Sequence, residues 1–221
     1  MLLPQYAVAT VIGTTKIPSF TGTSIAAYKY SREVELHRGH LVLMMSIACV
    51  SAFLGSRLLT VVSNDFMKPF LLVVLTGVAI YTYTKKNFGV HSEKEHTAQQ
   101  HLVYAVLISL VIAFYDGFVG PGSGSFLILA FIALLGYSFL KASGTAKFVN
   151  LSTNIGSIVL FGMSGHILYA IAIPMAICNG IGGFLGARLA ILRGNAFIRV
   201  FFLVVVLATI ARFGYDVLIA R

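Results

Sequence analysis

Lys147, Asn150, Asn154 and Ser157 recur at the spacing that stacks side chains along one face of a helix, within a stretch of otherwise small and apolar residues. An ammonium group followed by amides and a hydroxyl can hold a small anion, with the charge met by the lysine and the oxygen atoms by the donors. The same stripe admits a plainer reading. In that one the lysine snorkels to the membrane interface and the Asn and Ser side chains only join helices by hydrogen bonds. The spacing returns near the N-terminus as Lys16, Ser19, Thr23 and Ala26, polar at three of its four positions.

A second chemical feature is Tyr115-Asp116-Gly117-Phe118-Val119-Gly120-Pro121-Gly122-Ser123-Gly124-Ser125, in which four glycines and a proline fall within eight residues. No helix continues through such a run. In lipid its backbone groups would lack partners, so the segment must be buried in protein, line a wet cavity, or form a tight turn outside the membrane. A helix restarting at Ser125 would aim free N–H groups and a positive dipole end at an anion, and Gly120, Gly122 and Gly124 would let a ligand reach the backbone. No Gly-Lys-Ser/Thr follows and no strand precedes, which excludes a Walker loop and a dinucleotide fold. Asp116 closes the preceding apolar helix. It is either a functional carboxylate, such as a proton-coupling group, or a residue at a helix end that is simply solvated or ties down the glycine run.

Other side chains carry less. Cys49 and Cys178 sit in apolar helices outside any metal pattern and read as packing residues. His91, His96 and His101 lie five apart, a spacing that shares no helical face, and read as solvated. Gly182 and Gly186 form a GxxxG matched by Ser51 and Gly55, expected to pack helices closely. Arg57 and Arg188 read as interface anchors. An integral-membrane enzyme would need a second polar group within reach of Asp116, and the other acid placed inside a helix is Asp216. The pattern points to no metal and no cofactor.

The elements that must position these residues follow from composition. Of 221 residues, 58% are hydrophobic and 10% charged, and the mean hydropathy is +0.91, which excludes a water-soluble globule. The net charge of +9 comes without a basic, aromatic-interleaved soluble segment, so topology explains it better than nucleic acid does. Apolar runs predict an all-α, polytopic transmembrane bundle of about eight helices in a lipid bilayer. Their expected spans are 16–30, 39–59, 65–84, 102–116, 125–140, 147–163, 166–188 and 196–220. Lys29, Arg32, Arg38, Lys85, Lys86, Lys94, Lys141, Arg188, Arg193 and Arg199 fall on one face, against Arg57, Lys68, Arg212 and Arg221 on the other. The linker over 85–101 is therefore expected in the cytoplasm and the C-terminus outside. A homo-oligomer remains open.

The chain also matches itself. Sliding Gly13-Thr14-Thr15-Lys16 onto Gly144-Thr145-Ala146-Lys147 brings Phe53-Leu54-Gly55-Ser56-Arg57-Leu58 onto Phe184-Leu185-Gly186-Ala187-Arg188-Leu189 without a gap. An odd number of crossings separates the copies, so the second is inverted, the architecture of many secondary transporters. The first repeat covers 1–84 and the second 102–221. In this register Leu102 to Phe131 has no counterpart, and the first copy is expected to be short by roughly 30 residues, one broken hairpin.

YDGFVGPGSGSF, GTAKFVNLSTN and GFLGAR, in that order, resemble the second half of the sulfite exporter TauE/SafE family of membrane transporters, and GTTK with FLGSRL resembles its first half. The resemblance implies an inner-membrane permease or exporter for a small sulfur-containing or organic anion, such as sulfite or a sulfonate, working by secondary transport and alternating access. It implies a pathway through Asp116, Gly120, Gly122, Gly124, Thr145, Lys147, Asn150 and Asn154, with Thr15 and Lys16 from the first copy. Ser19 and Thr23 join these through the stripe. Family members usually carry a first glycine-rich hairpin that this sequence lacks, which keeps open a non-transporting, degenerate membrane protein.

Overall fold

The structure, a computed structural model, describes residues 6–34, 38–63, 65–67, 70, 73–74 and 97–192. The helices expected over 65–84 and 196–220, Asp216, His91, His96 and most of the linker lie largely or wholly outside these residues. Among the described residues there is no strand, and the bundle is all-α as expected.

Helix α1 (Val8–Ser31) begins well before Lys16. Thr14 and Thr15 are absorbed by the helix, donating back to the carbonyls of Thr10 and Ile12 at 2.6 and 2.7 Å. Helix α2 spans Arg38–Val61. Helix α3 (Ala98–Phe118) also starts earlier than its apolar run, because Thr97 and Gln100 form a capping box, with Gln100 N–H donating to Thr97 Oγ1 and Thr97 N–H to Gln100 Oε1. The last residues assigned to the linker therefore belong to a helix.

Helix α4 (Ser123–Leu135) stops short of the expected Leu140 because Gly136 turns the chain at φ 65°. Ser138 then accepts from Lys141 N–H and starts α5 (Phe139–Met163), placing Lys141 in the first turn of α5 rather than in a loop. Helix α6 runs from Tyr169 to Leu192.

Among the described residues, three helices are long and apolar enough to cross a membrane: Gly39–Val61 in α2, Gln99–Phe118 in α3 and Tyr169–Leu192 in α6. Each exposes an apolar face, with Val42, Val50, Leu54 and Val61 on α2, Val103, Leu107, Val111 and Phe114 on α3, and Ile173, Ile177 and Ile181 on α6. Helices α1 and α5 carry the polar stripes and are less apolar for that reason. A polar stripe is tolerated in a membrane only where protein covers it, and α5 accordingly packs against α1, α2, α3 and α4.

Helices α1 and α5 run antiparallel. Gly13 lies against Phe161, Ser19 bonds Asn154, and Tyr30 lies over Gly144. Along α5, an apolar cluster around Val149, Leu127, Phe131 and Met44 is separated from another around Phe161, Val8, Leu59 and Ile167 by the buried Ser152, Thr153, Asn154 and Ser157.

Small residues set the helix spacing. A Cβ at Gly117 would overlap the Ala52 carbonyl, one at Gly55 the Phe114 carbonyl, and one at Gly156 the Cys49 carbonyl. In α6 a Cβ at Gly182 or Gly186 meets no described atom, so neither makes a close approach to the described helices. Gly183 makes the close approach instead, onto the Gly22 backbone of α1, because the α1 contact falls one residue away from the GxxxG face.

Candidate anion site

Polar residues on α1, α5 and α6 converge on a cavity of about 480 Å³. Ser19 and Thr23 reach it from α1, Lys147 and Asn150 from α5, and Asn179 from α6, while Gly22, Gly182, Gly183 and Gly186 form the concave wall. Tyr30 and Ser143 close one end, and Ile128, Phe139 and Ala187 supply apolar surface. Among the described residues of this lining, Lys147 is the cation and there is no acid. A half-buried lysine that shares its lining with hydroxyl and amide donors, and with no described carboxylate, suits a small anion.

The other lysine of the repeat stands in a different environment. Lys16 Nζ donates to the Asp116 carbonyl at 2.6 Å and lies 3.3 Å from Asp116 Oδ2, with both side chains under one tenth exposed. Asp116 sits in the last turn of α3, where a cation suits the carbonyl end of the helix dipole. Its Oδ1 accepts from Ser123 Oγ, at the start of α4, at 2.6 Å. The glycine break between these helices is only Val119 to Gly122, with Gly120 and Gly122 at φ 90° and 85°, conformations that glycine adopts without strain. Its backbone is held by Val119 N–H and Gly120 N–H donating to the Tyr115 carbonyl, and by Tyr115 Oη–H donating to the Pro121 carbonyl. Asp116 lies inside α3 rather than closing it, and it is buried rather than solvated.

The structure thus divides the expected site residues. Lys147, Asn150, Ser19 and Thr23 line the cavity. Lys16, Asp116 and Gly120 form the paired cluster, with the Cβ direction of Gly120 leading to Lys16 Nζ at 3.8 Å. Gly124 adjoins Asn150, whose Nδ2 would lie 3.1 Å from a Cβ there, so the glycine break and the cavity share a wall. Asn154 and Ser157 bond across helices, Asn154 Nδ2 donating to Ser19 Oγ at 3.1 Å and Ser56 Oγ to Ser157 Oγ at 2.9 Å. Thr145 is buried and bonds back to the Lys141 carbonyl. Thr15 is exposed on the far side of α1.

Asn179, Tyr30 and Ser143 also line the cavity and were not singled out from sequence. The signal for Asn179 was an amide alone among Cys178, Gly180 and Ile181 in an apolar helix. His101, expected to be solvated, stacks on His40 at 5.4 Å between ring centroids and leans on Tyr137 at 5.6 Å, because the earlier start of α3 draws it into the bundle. Burial pushes the Tyr137 phenol above its ordinary range.

Apolar helices around two polar inner helices, and a cavity whose described lining holds a lysine and no acid, define the class: a multi-pass helical membrane transporter. The chain belongs to the sulfite exporter TauE/SafE family, whose model matches residues 1–213. It is 30% identical over 93% of its length to a probable membrane transporter protein, ORF9, of Sinorhizobium sp, covering 78% of that protein. It is 27% identical over 94% of its length to the probable membrane transporter protein YfcA of Escherichia coli, covering 77% of it. A probable membrane transporter protein of Haemophilus influenzae is also 27% identical, over 94% of this chain and 81% of its own length. No solved structure matches the chain.

Proposed function

We propose that the chain is a secondary transporter that carries a small anion through the inner membrane by alternating access, and that sulfite or an organic sulfonate is its substrate class. The observation that carries this reading is the cavity that Lys147 lines together with Ser19, Thr23, Asn150 and Asn179, with no carboxylate among the described lining residues. Lys147 meets the charge, and the amides and hydroxyls meet the oxygen atoms. Ile128, Phe139 and the glycine wall accommodate a short carbon chain on a sulfonate.

Two inverted copies are supported by the antiparallel course of α1 and α5. The repeat register equates Ser19 with Asn150 and Thr23 with Asn154, and the hydrogen bond runs between Ser19 and Asn154, as an axis between the two helices requires. The linker is on the cytoplasmic side and the C-terminus outside, from the lysine and arginine count. Asp116 is the acid of the described transmembrane helices and so the group placed to take up a coupling proton. The purified chain reconstituted in liposomes should move radiolabelled ethanesulfonate or sulfite down an imposed gradient; absence of flux for both under any gradient of substrate, proton or voltage overturns the proposal.

A further inference from the structure

The two lysines that the repeat equates are in opposite states. Lys147 lines a cavity with no acid among its described residues. Lys16 is buried against Asp116. The carboxylate is held by fewer contacts than it can take: Oδ1 accepts one hydrogen bond, from Ser123 Oγ, and Oδ2 accepts none, facing only the Lys16 ammonium at 3.3 Å. Charge-assisted N–H···O contacts are ordinarily about 2.7–2.9 Å, and an ionised carboxylate offers roughly four acceptor positions.

The surroundings of this carboxylate suit an anion in its own right. The side-chain-free backbone of Gly120 borders the Lys16 ammonium, and α4 begins beside it at Ser123. The position adjoins the cavity, because Ser19, one turn along α1 from Lys16, lines it, and Gly124 touches Asn150 of its wall.

We propose that Lys16 is a second anion station on the transport path, occupied in this conformation by the chain's own Asp116 carboxylate, so that substrate and Asp116 compete for one ammonium group. This deepens the transporter reading and rests on it for the identity of the competing anion, a small sulfonate or carboxylate. While substrate is on Lys147, Asp116 keeps Lys16 neutralised and the glycine break closed. When substrate replaces Asp116 at Lys16, the displaced carboxylate takes up the coupling proton, so the pair opens without leaving either buried charge uncompensated.

The test is anion rescue of a variant that removes the internal competitor. Asp116→Ala leaves Lys16 without its counter-ion and opens a void the size of a carboxylate. The purified full-length chain in detergent is titrated with acetate and with ethanesulfonate, recording the thermal midpoint and the number of anions bound. Asp116→Ala should melt below wild type without anion and recover on adding acetate, and ethanesulfonate bound per chain should rise from about one to about two. Lys16→Met/Asp116→Ala should lose the extra site, whereas Lys147→Ala should lose only the first. If Asp116→Ala folds only when expressed and extracted in acetate and is lost on its removal, the proposal is supported equally. It is overturned if neither anion raises the midpoint of Asp116→Ala beyond its effect on wild type, or if the extra binding survives Lys16→Met. Failure of wild type to bind ethanesulfonate would instead strike the transporter reading, because acetate rescue at Lys16 does not depend on it.

Discussion

Lys147→Ala separates a binding lysine from a structural one. Lys147 projects into the cavity from α5 and faces donors rather than acids. Removing it therefore breaks no ion pair, and relieves the cost of holding an ammonium away from bulk water. The anion loses its charged partner, and a hydrogen bond to a charged group contributes about 1.5–3 kcal/mol. At about 1.4 kcal/mol per decade this corresponds to roughly a 10- to 100-fold rise in Kd. Ethanesulfonate binding by calorimetry and its flux in proteoliposomes measure the loss, and the thermal midpoint checks the fold. Arg57→Ala is the comparison, because Arg57 is an exposed cation at the end of α2 and outside the cavity lining. The expected result is weak binding and low flux for Lys147→Ala with a midpoint at or above wild type, and little change for Arg57→Ala. Equal losses for the two variants, or a Lys147→Ala protein that keeps its affinity, would refute the assignment of the cavity.

Lys16→Met strands a buried Asp116 carboxylate and should destabilise by about 3–5 kcal/mol, whereas Lys16→Met/Asp116→Asn should regain much of that loss; denaturation of both in detergent checks the coupling. Gly117→Ala drives a methyl group into the Ala52 carbonyl and should cost about 1–3 kcal/mol, while Gly39→Ala, with open space around it, should melt like wild type. In α6, Gly183→Ala should lower the thermal midpoint through its clash with Gly22, and Gly186→Ala should leave the midpoint unchanged but narrow the cavity and weaken ethanesulfonate binding.

Much of the fold was legible because bilayer thickness and hydropathy dictate the helical class and the approximate length of a span before any packing is known. The boundaries were less so, for local reasons. The start of α1 was hidden by Thr14 and Thr15, which look like a polar terminus until their hydroxyls are allowed to bond back to the preceding turn. The start of α3 was written in the sequence as Thr97-Ala98-Gln99-Gln100, a capping box inside what composition marked as linker. The division between α4 and α5 was likewise written as Gly136 followed by Ser138, yet continuous apolar residues on both sides favoured a later turn.

The site shows where periodicity stops being informative. Stacking on one helix face put Lys147, Asn150, Asn154 and Ser157 together, but a face is not a neighbourhood, and each level of α5 meets a different helix. Toward Phe161 the stripe meets Ser19 of α1 and Ser56 of α2, whose hydroxyls engage Asn154 Nδ2 and Ser157 Oγ. Toward Phe139 it meets the glycines of α1 and α6, which offer no side-chain partner and leave space, so Lys147 and Asn150 line the cavity, with Asn150 Oδ1 accepting from Thr153 Oγ1 on its own helix. The two readings of the stripe, anion holder and helix glue, therefore both describe α5, at different heights. What decides between them is the size of the residue opposite. Gly22, Gly183 and Gly186 keep the cavity open, and a larger side chain at Gly186 would remove the anion's space before it touched a polar residue of the site.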